Sequence, residues 1–380
     1  MRQDRADVVV IGAGIAGASV AFELASDLEV VLIEQESQPG YHTTGRSAAV
    51  FSRTYGPPAI RALSRASAGF LFSPPDDFTD VPLVSHLGAM MIAREDQMPA
   101  LEALQAEIAN RSPFVLLDAE GARERQPLLR SDYIHAALLE EEAHDIDVHA
   151  LHQGFLRGFA RRGGSFEANC EVKSIERNGE VWDCETRAGR ISAPVIVNAA
   201  GAWADAVGAM AGARPIGLVP KRRTAVIVPA PEGVTPDGWP ICIDVNEEFY
   251  MKPDAGRLLI SPADETPSPP CDAQPEEIDV AIAIDRIQTA FDIEVRRVEN
   301  KWAGLRSFVA DKSPVAGYDS DRPGFFWLAG QGGYGIQSSP GLSRAAAALI
   351  RRRPLPADIQ DEGLEIAAIA PDRLERVAVS

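Results

Sequence analysis

The stretch Val8-Val9-Val10-Ile11-Gly12-Ala13-Gly14-Ile15-Ala16-Gly17 decides the fold of this 380-residue chain. Val8 to Ile11 is apolar and β-branched, the pattern of a strand buried on both faces. A helical stretch rich in alanine runs from Ala16 to Leu24, and a second apolar run, Glu29 to Ile33, ends on Glu34. Strand, glycine turn, helix and strand are the parts of a dinucleotide-binding unit. Gly12 permits the tight turn, Gly14 lets the backbone approach a pyrophosphate, and Gly17 lets the helix pack close to the strand. The helix N-terminus offers N–H groups and a positive dipole end to the phosphates. Glu34 ends the second strand, where a carboxylate accepts hydrogen bonds from both ribose hydroxyls and disfavours a 2′-phosphate.

The fingerprint does not separate FAD from NAD, and three later segments favour FAD. Gly40-Tyr41-His42-Thr43-Thr44-Gly45-Arg46-Ser47-Ala48-Ala49 is rich in small and hydroxyl residues and suits a loop that wraps an extended cofactor. Val195 to Asn198 reads as a strand that breaks at Ala199-Ala200-Gly201-Ala202-Trp203. Phe325 to Ala329 reads as another, opening into Gly330-Gln331-Gly332-Gly333-Tyr334-Gly335-Ile336-Gln337 and then a helix over 340–350. A helix N-terminus stabilises the negative charge that a reduced flavin carries. Glycine-rich junctions near both ends of the chain fit one FAD held from both ends.

In this order the motifs resemble those of the D-amino-acid oxidase and dehydrogenase (DAO) superfamily of FAD-dependent oxidoreductases. The likeness covers nearly the whole chain and is strongest to the bacterial FAD-dependent D-arginine dehydrogenases. It rests on runs such as 38–42, 151–154, 220–223 and Trp302-Ala303-Gly304-Leu305-Arg306-Ser307-Phe308-Val309-Ala310-Asp311. It implies non-covalent FAD held by Gly12, Gly14, Ala16, Gly17, Glu34, Gln35, Thr44, Gly45, Arg46, Ser47, Ala48, Ala49 and Val172. Ala200, Gly201, Trp203, Gly304, Gly332, Gly333, Tyr334, Gly335, Ile336 and Gln337 complete that set.

Arginine suits an α-carboxylate because its planar fork donates two parallel hydrogen bonds. Arg306 stands in an apolar, glycine-containing context, where a cation without an anionic partner is costly. The resemblance adds Arg223, Tyr250, Tyr55, Gly333 and Gln337 around a substrate. It also places Ala89 and Val50 where the D-arginine enzymes carry a glutamate and a histidine, which argues for a neutral or hydrophobic D-amino acid. The implied reaction is hydride transfer to the flavin from a neutral amine, giving a 2-oxo acid and ammonia, and no side chain is assigned as general base. Glycine, sarcosine or another secondary amino acid is the alternative substrate on the same fold. A non-catalytic flavoprotein sensor and an NAD-dependent reductase are the alternatives of other classes. The electron acceptor, whether oxygen, a quinone or a dye-like carrier, is left open.

The expected fold class is α/β, or α+β overall, with a Rossmann-like FAD domain built from 1–80, 145–213 and 301–364. A mostly antiparallel sheet for substrate is expected from 81–144 and 214–300, with a surface loop over 265–275 and a peripheral tail over 365–380. A formal charge of −18, from 55 acidic and 37 basic residues, argues against nucleic acid and anionic membrane surfaces. Lys221-Arg222-Arg223 and Arg351-Arg352-Arg353 read as solvated charge clusters. The four cysteines, 170, 184, 242 and 271, form no CxxC pair, and no histidine cluster has metal spacing. Free thiols and the absence of a leader pattern or long apolar run point to a cytoplasmic protein, with peripheral membrane association left open.

Overall fold

The computed structural model describes residues 5–109 and 113–374. A six-stranded sheet runs in the order Val315–Tyr318, Phe325–Ala329, Val195–Asn198, Val8–Ile11, Val30–Ile33, Ser165–Glu167. Every pair is parallel except the first. Helices Ile15–Leu24, Val148–Arg161 and Gly335–Ile350 bury one face through residues such as Val10, Leu32 and Phe326. The other face is closed by the three-stranded antiparallel sheet spanning 172–193 and by helix Ala204–Met210. Burial on both faces accounts for strands as uniformly apolar as Val8–Ile11.

The second layer is a nine-stranded sheet, antiparallel except where Ile241–Asp244 lies parallel to Ala89–Ala93. Leu83 to Ala93 is broken into Val84–His86 and Ala89–Ala93 by Leu87-Gly88. The segment 265–275 is more than a surface loop. Thr266–Pro267 pairs with strand Val219–Pro229, and Ala273 is buried. Residues 366–373 are not peripheral either: the Ala316 N–H donates to the Ile369 carbonyl at 2.8 Å, and the Ile369 side chain is fully buried. Residues 375–380 of the expected tail lie outside the described residues.

One boundary differs in a way that matters for function. The sequence groups 301–308 with the cofactor segments. Strand Asn300–Phe308 pairs along its length with Val219–Pro229 in the nine-stranded sheet. Its other edge is satisfied by cofactor-side groups instead of a further strand. The Thr43 hydroxyl donates to the Leu305 carbonyl at 2.7 Å, Arg46 Nη1 to the Ala303 carbonyl at 2.9 Å, and the Gly332 N–H to the Ser307 carbonyl at 3.0 Å. Unpaired edge carbonyls thus join the two sheets. The helix expected over 340–350 begins five residues earlier, at Gly335. Pro340 is tolerated inside it, and the Ser339 hydroxyl donates to the Ile336 carbonyl that a proline cannot serve.

The basic runs are paired. Lys221 meets Glu265 at 2.6 Å, Arg222 meets Glu276 and Asp279, and Arg351 meets Asp27. All four cysteines are free, and no described helix is long and apolar enough to cross a membrane.

Candidate active site

A long channel follows the parallel strands' carboxyl ends, where ligands bind in open α/β sheets. Gly12, Gly14, Ala16, Glu34, Gln35 and Val172 line one end of it. Thr44, Arg46, Ser47, Ala48, Ala200, Gly201, Trp203, Gly304, Gly332, Gly333, Gly335 and Ile336 line the rest. Glu34 is 9% exposed, and its carboxylate accepts from the Ala13 N–H at 2.7 Å and the Glu36 N–H at 3.1 Å. Thr44 Oγ1 accepts from the Ile15 N–H at 2.9 Å, capping the helix that faces the channel.

His152, outside the assigned set, supports this loop from behind. Burial lowers its pKa, and its Nε2 lies 2.9 Å from the Ala13 carbonyl. A carbonyl only accepts, so Nε2 carries the proton.

A second cavity opens beside the first. Ser47, Ala48, Arg223, Tyr250, Arg306, Gly333 and Ile336 line both. Tyr55, Ala89 and Val50 line the second, as do Ala49, Tyr334 and Gln337, which the sequence placed against the cofactor. Ala49 is turned away because its carbonyl accepts from Ile146 N at 3.0 Å and opens strand Val50–Phe51. Tyr334 packs its ring edge-on to Tyr55, with centroids 5.0 Å apart. Gly17 and Gly45 line neither cavity and serve the backbone packing around it. The far part of the second cavity is lined by the apolar side chains Met91, Leu104, Ile108, Phe114 and Leu138, with the Arg61–Glu107 ion pair beside them, and the sequence singled out none of these.

Pairing in register sets the cations. Arg306 lies opposite Lys221, and Arg223 opposite Gly304, so Arg306 and Arg223 share one face of adjacent strands. Lys221 is taken up by Glu265. Arg223 Nε donates to the Asp264 carbonyl at 2.9 Å, and its Nη2 lies 3.6 Å from Glu265. Arg306 differs: among the described residues its guanidinium makes no ion pair or hydrogen bond. Burial works against its charge, yet Tyr55, Tyr250, Tyr334 and the Glu247 carboxylate outweigh this, and its pKa is raised. Burial likewise raises the pKa of Tyr55 and Tyr334, so both stay neutral hydrogen-bond donors. An unpaired enclosed cation among phenols is a site for an anion.

Gly333 makes room for that cation. A Cβ there would stand 2.6 Å from Arg306 Nη1 and 2.8 Å from its Cζ. The Gly333→Ala variant is expected to keep its FAD but to lose ~100-fold in kcat/KM, since a shift of about 1 Å in a positioning group costs that much. Steady-state kinetics beside the flavin spectrum checks it.

The channel fits FAD by its own chemistry. Among the described residues His42 Nδ1 and Gln331 Nε2 are buried without a partner, and both residues line it. The wall offers an acidic ribose acceptor, backbone of small residues, and a second helix N-terminus at Gly335. A parallel-sheet nucleotide channel that meets a pocket holding an unpaired cation suits a flavin-type oxidoreductase. The chain belongs to the DAO family, described as FAD dependent oxidoreductase, which matches residues 7–349, and FAD is its cofactor.

Glycine oxidase of Geobacillus kaustophilus is 25% identical over 93% of this chain and 95% of its own length. Its crystal structure superposes with a TM-score of 0.83, at 23% identity, covering 99% of this chain and 100% of the other. Glycerol 3-phosphate dehydrogenase of Caloramator mitchellensis is 25% identical over 89% of this chain and 72% of its own length. Mitochondrial dimethylglycine dehydrogenase of Rattus norvegicus is 27% identical over 68% of this chain but only 31% of its own greater length. None of these three is a D-arginine dehydrogenase, so the finer likeness read from the sequence gives way to the family as a whole.

Proposed function

We propose that this protein oxidises the carbon–nitrogen bond of an α-amino acid of the glycine or N-substituted glycine type, with an apolar substituent directed at the far wall. The observation that carries this is Arg306, a cation without an ion pair among the described residues, where the two cavities meet. It binds the carboxylate, and the phenol hydroxyls of Tyr55 and Tyr250 donate to the same group. Glycine oxidase and dimethylglycine dehydrogenase among the relatives favour a glycine-type amine. FAD supplies the hydride acceptor, while this chain's residues hold and orient the substrate.

A D-amino acid with an apolar side chain is the second reading. Ala89 and Val50 offer a long side chain no charged partner, while Met91, Leu104 and Phe114 offer it apolar contact.

The test is anaerobic mixing of the purified protein with glycine, sarcosine, N-benzylglycine, D- and L-leucine, D-arginine and glycerol 3-phosphate, following flavin absorbance. Bleaching by glycine-type amines, fastest with the N-benzyl compound, is the expected result. Bleaching by D-leucine alone would move the substrate to the second reading. Bleaching by glycerol 3-phosphate alone would overturn amine oxidation.

Cys170 lies beside Glu34 at one end of the channel, and His42 Nε2 is engaged by Glu36 at 3.0 Å. FAD is expected to be held non-covalently and released when the protein is unfolded in guanidinium and filtered. Flavin retained on the chain would overturn this and direct peptide mapping to His42.

A further inference from the structure

Glu140 ends strand Ala136–Glu140, lies opposite Ala89 in register and is 4% exposed. Its carboxylate gathers three donors from one short segment 86 to 88 residues away. The Ser52 hydroxyl donates to Oε2 at 2.6 Å, the Thr54 hydroxyl to Oε2 at 2.6 Å, and the Arg53 N–H to Oε1 at 2.8 Å. The bound Ser52 Oγ in turn accepts from the N–H groups of Thr54 and Tyr55, at 3.2 and 3.1 Å. From the opposite side, Gln337 Oε1 accepts from the Ser52 N–H at 2.9 Å. A buried carboxylate of the nine-stranded sheet and an amide of the helix beside the cofactor channel thus grip one turn. That turn ends in Tyr55, whose side chain enters the substrate cavity.

We propose that Glu140 is a positioning residue that holds the Ser52–Tyr55 turn closed, so that the Tyr55 phenol is fixed beside Arg306 before substrate arrives. Glu140 itself lines the second cavity, and the role proposed for it is exercised through the turn it holds. The inference rests on the amino-acid reading of the site only for its kinetic consequence. The buried hydrogen bonds to a charge are strong and short. Fixing the turn in advance spares the substrate its ordering entropy.

The test uses the FAD-loaded full chain and two readouts. Amide hydrogen exchange over 52–55 requires no substrate: E140A should raise it ~10-fold or more, and E140Q less, because glutamine keeps one acceptor oxygen. Substrate affinity then comes from the concentration dependence of flavin reduction, using the amino acid that bleaches the wild type best. E140A should weaken that affinity ~30-fold, with E140Q intermediate and the limiting reduction rate within about threefold of wild type. In a double-mutant cycle, E140A added to Tyr55→Ala should cost almost nothing further.

Unchanged exchange in E140A, or full additivity with Tyr55→Ala, would overturn the proposal. Should E140A fail to retain FAD, E140Q and the pair Ser52→Ala, Thr54→Ala supply the same exchange measurement. If no amino acid bleaches the wild type, the functional reading falls, and the exchange data still decide the latch.

Discussion

Replacing Arg306 by methionine should lower kcat/KM for the amino-acid substrate about a thousandfold while FAD stays bound. The size follows from the site. The guanidinium makes no ion pair or hydrogen bond among the described residues, and under the proposed function the substrate carboxylate would be its strong partner. Removing one member of an enclosed hydrogen-bonded charge pair costs roughly 2–5 kcal/mol, and about 4 kcal/mol is a thousandfold. Methionine preserves much of the volume and leaves no buried cation, so stability should hold or rise. Lysine should recover only part of the loss, because an ammonium cannot donate the two parallel bonds of a planar fork. If Arg306 were only structural, R306M would change the unfolding midpoint and leave the substrate Kd unmoved. Flavin reduction kinetics beside a thermal melt separates the two.

The cofactor half of this protein is legible in its sequence because its determinants are local. Val8 to Glu34 carries the strand, turn, helix and acidic terminus within one unit, and the structure places Gly12, Gly14 and Glu34 along one channel end. The substrate half is less legible because its determinants are long-range. Strand Asn300–Phe308 has a free edge satisfied by Thr43, Arg46 and Gly332, and nothing in its own residues announces that partnership. The apolar wall of Met91, Leu104, Ile108, Phe114 and Leu138 comes from two strands, a helix and a loop, whose residues read singly as core. Glu140 left a faint signal. It ends the apolar run Ala136-Ala137-Leu138-Leu139 as Glu34 ends Val30 to Ile33, and an acid at the end of a buried strand invites the question of its partners.

Arg306 shows both sides of this. Its chemistry was readable, since an arginine between glycine and apolar residues needs an anion. Its isolation was not. That depends on Lys221 and Arg223 being taken up by Glu265 and the Asp264 carbonyl, both more than 40 residues from them in the chain.

Substituting alanine for Gly17 should abolish FAD binding, the largest effect expected on the cofactor side. A Cβ at Gly17 would lie 1.8 Å from the Gly12 carbonyl oxygen, well inside any allowed contact. A flexible side chain could yield, but the obstacle here is backbone. Gly12 has φ +100° and is itself confined, since a Cβ on it would meet the Ala199 carbonyl oxygen at 2.5 Å. The added methyl therefore forces apart strand Val8–Ile11 and helix Ile15–Leu24, and with them the turn at Gly14 and the Ala13 N–H that Glu34 accepts. Overpacking of this kind costs about 1–3 kcal/mol, and here the strain falls on the turn amides that would hold the pyrophosphate. The protein should purify colourless, with an unfolding midpoint that added FAD no longer raises, because ligand stabilisation requires binding to the folded state. A yellow Gly17→Ala protein with wild-type FAD content would mean that the helix can slide along its strand, and the close packing at this turn would then not be what holds the cofactor.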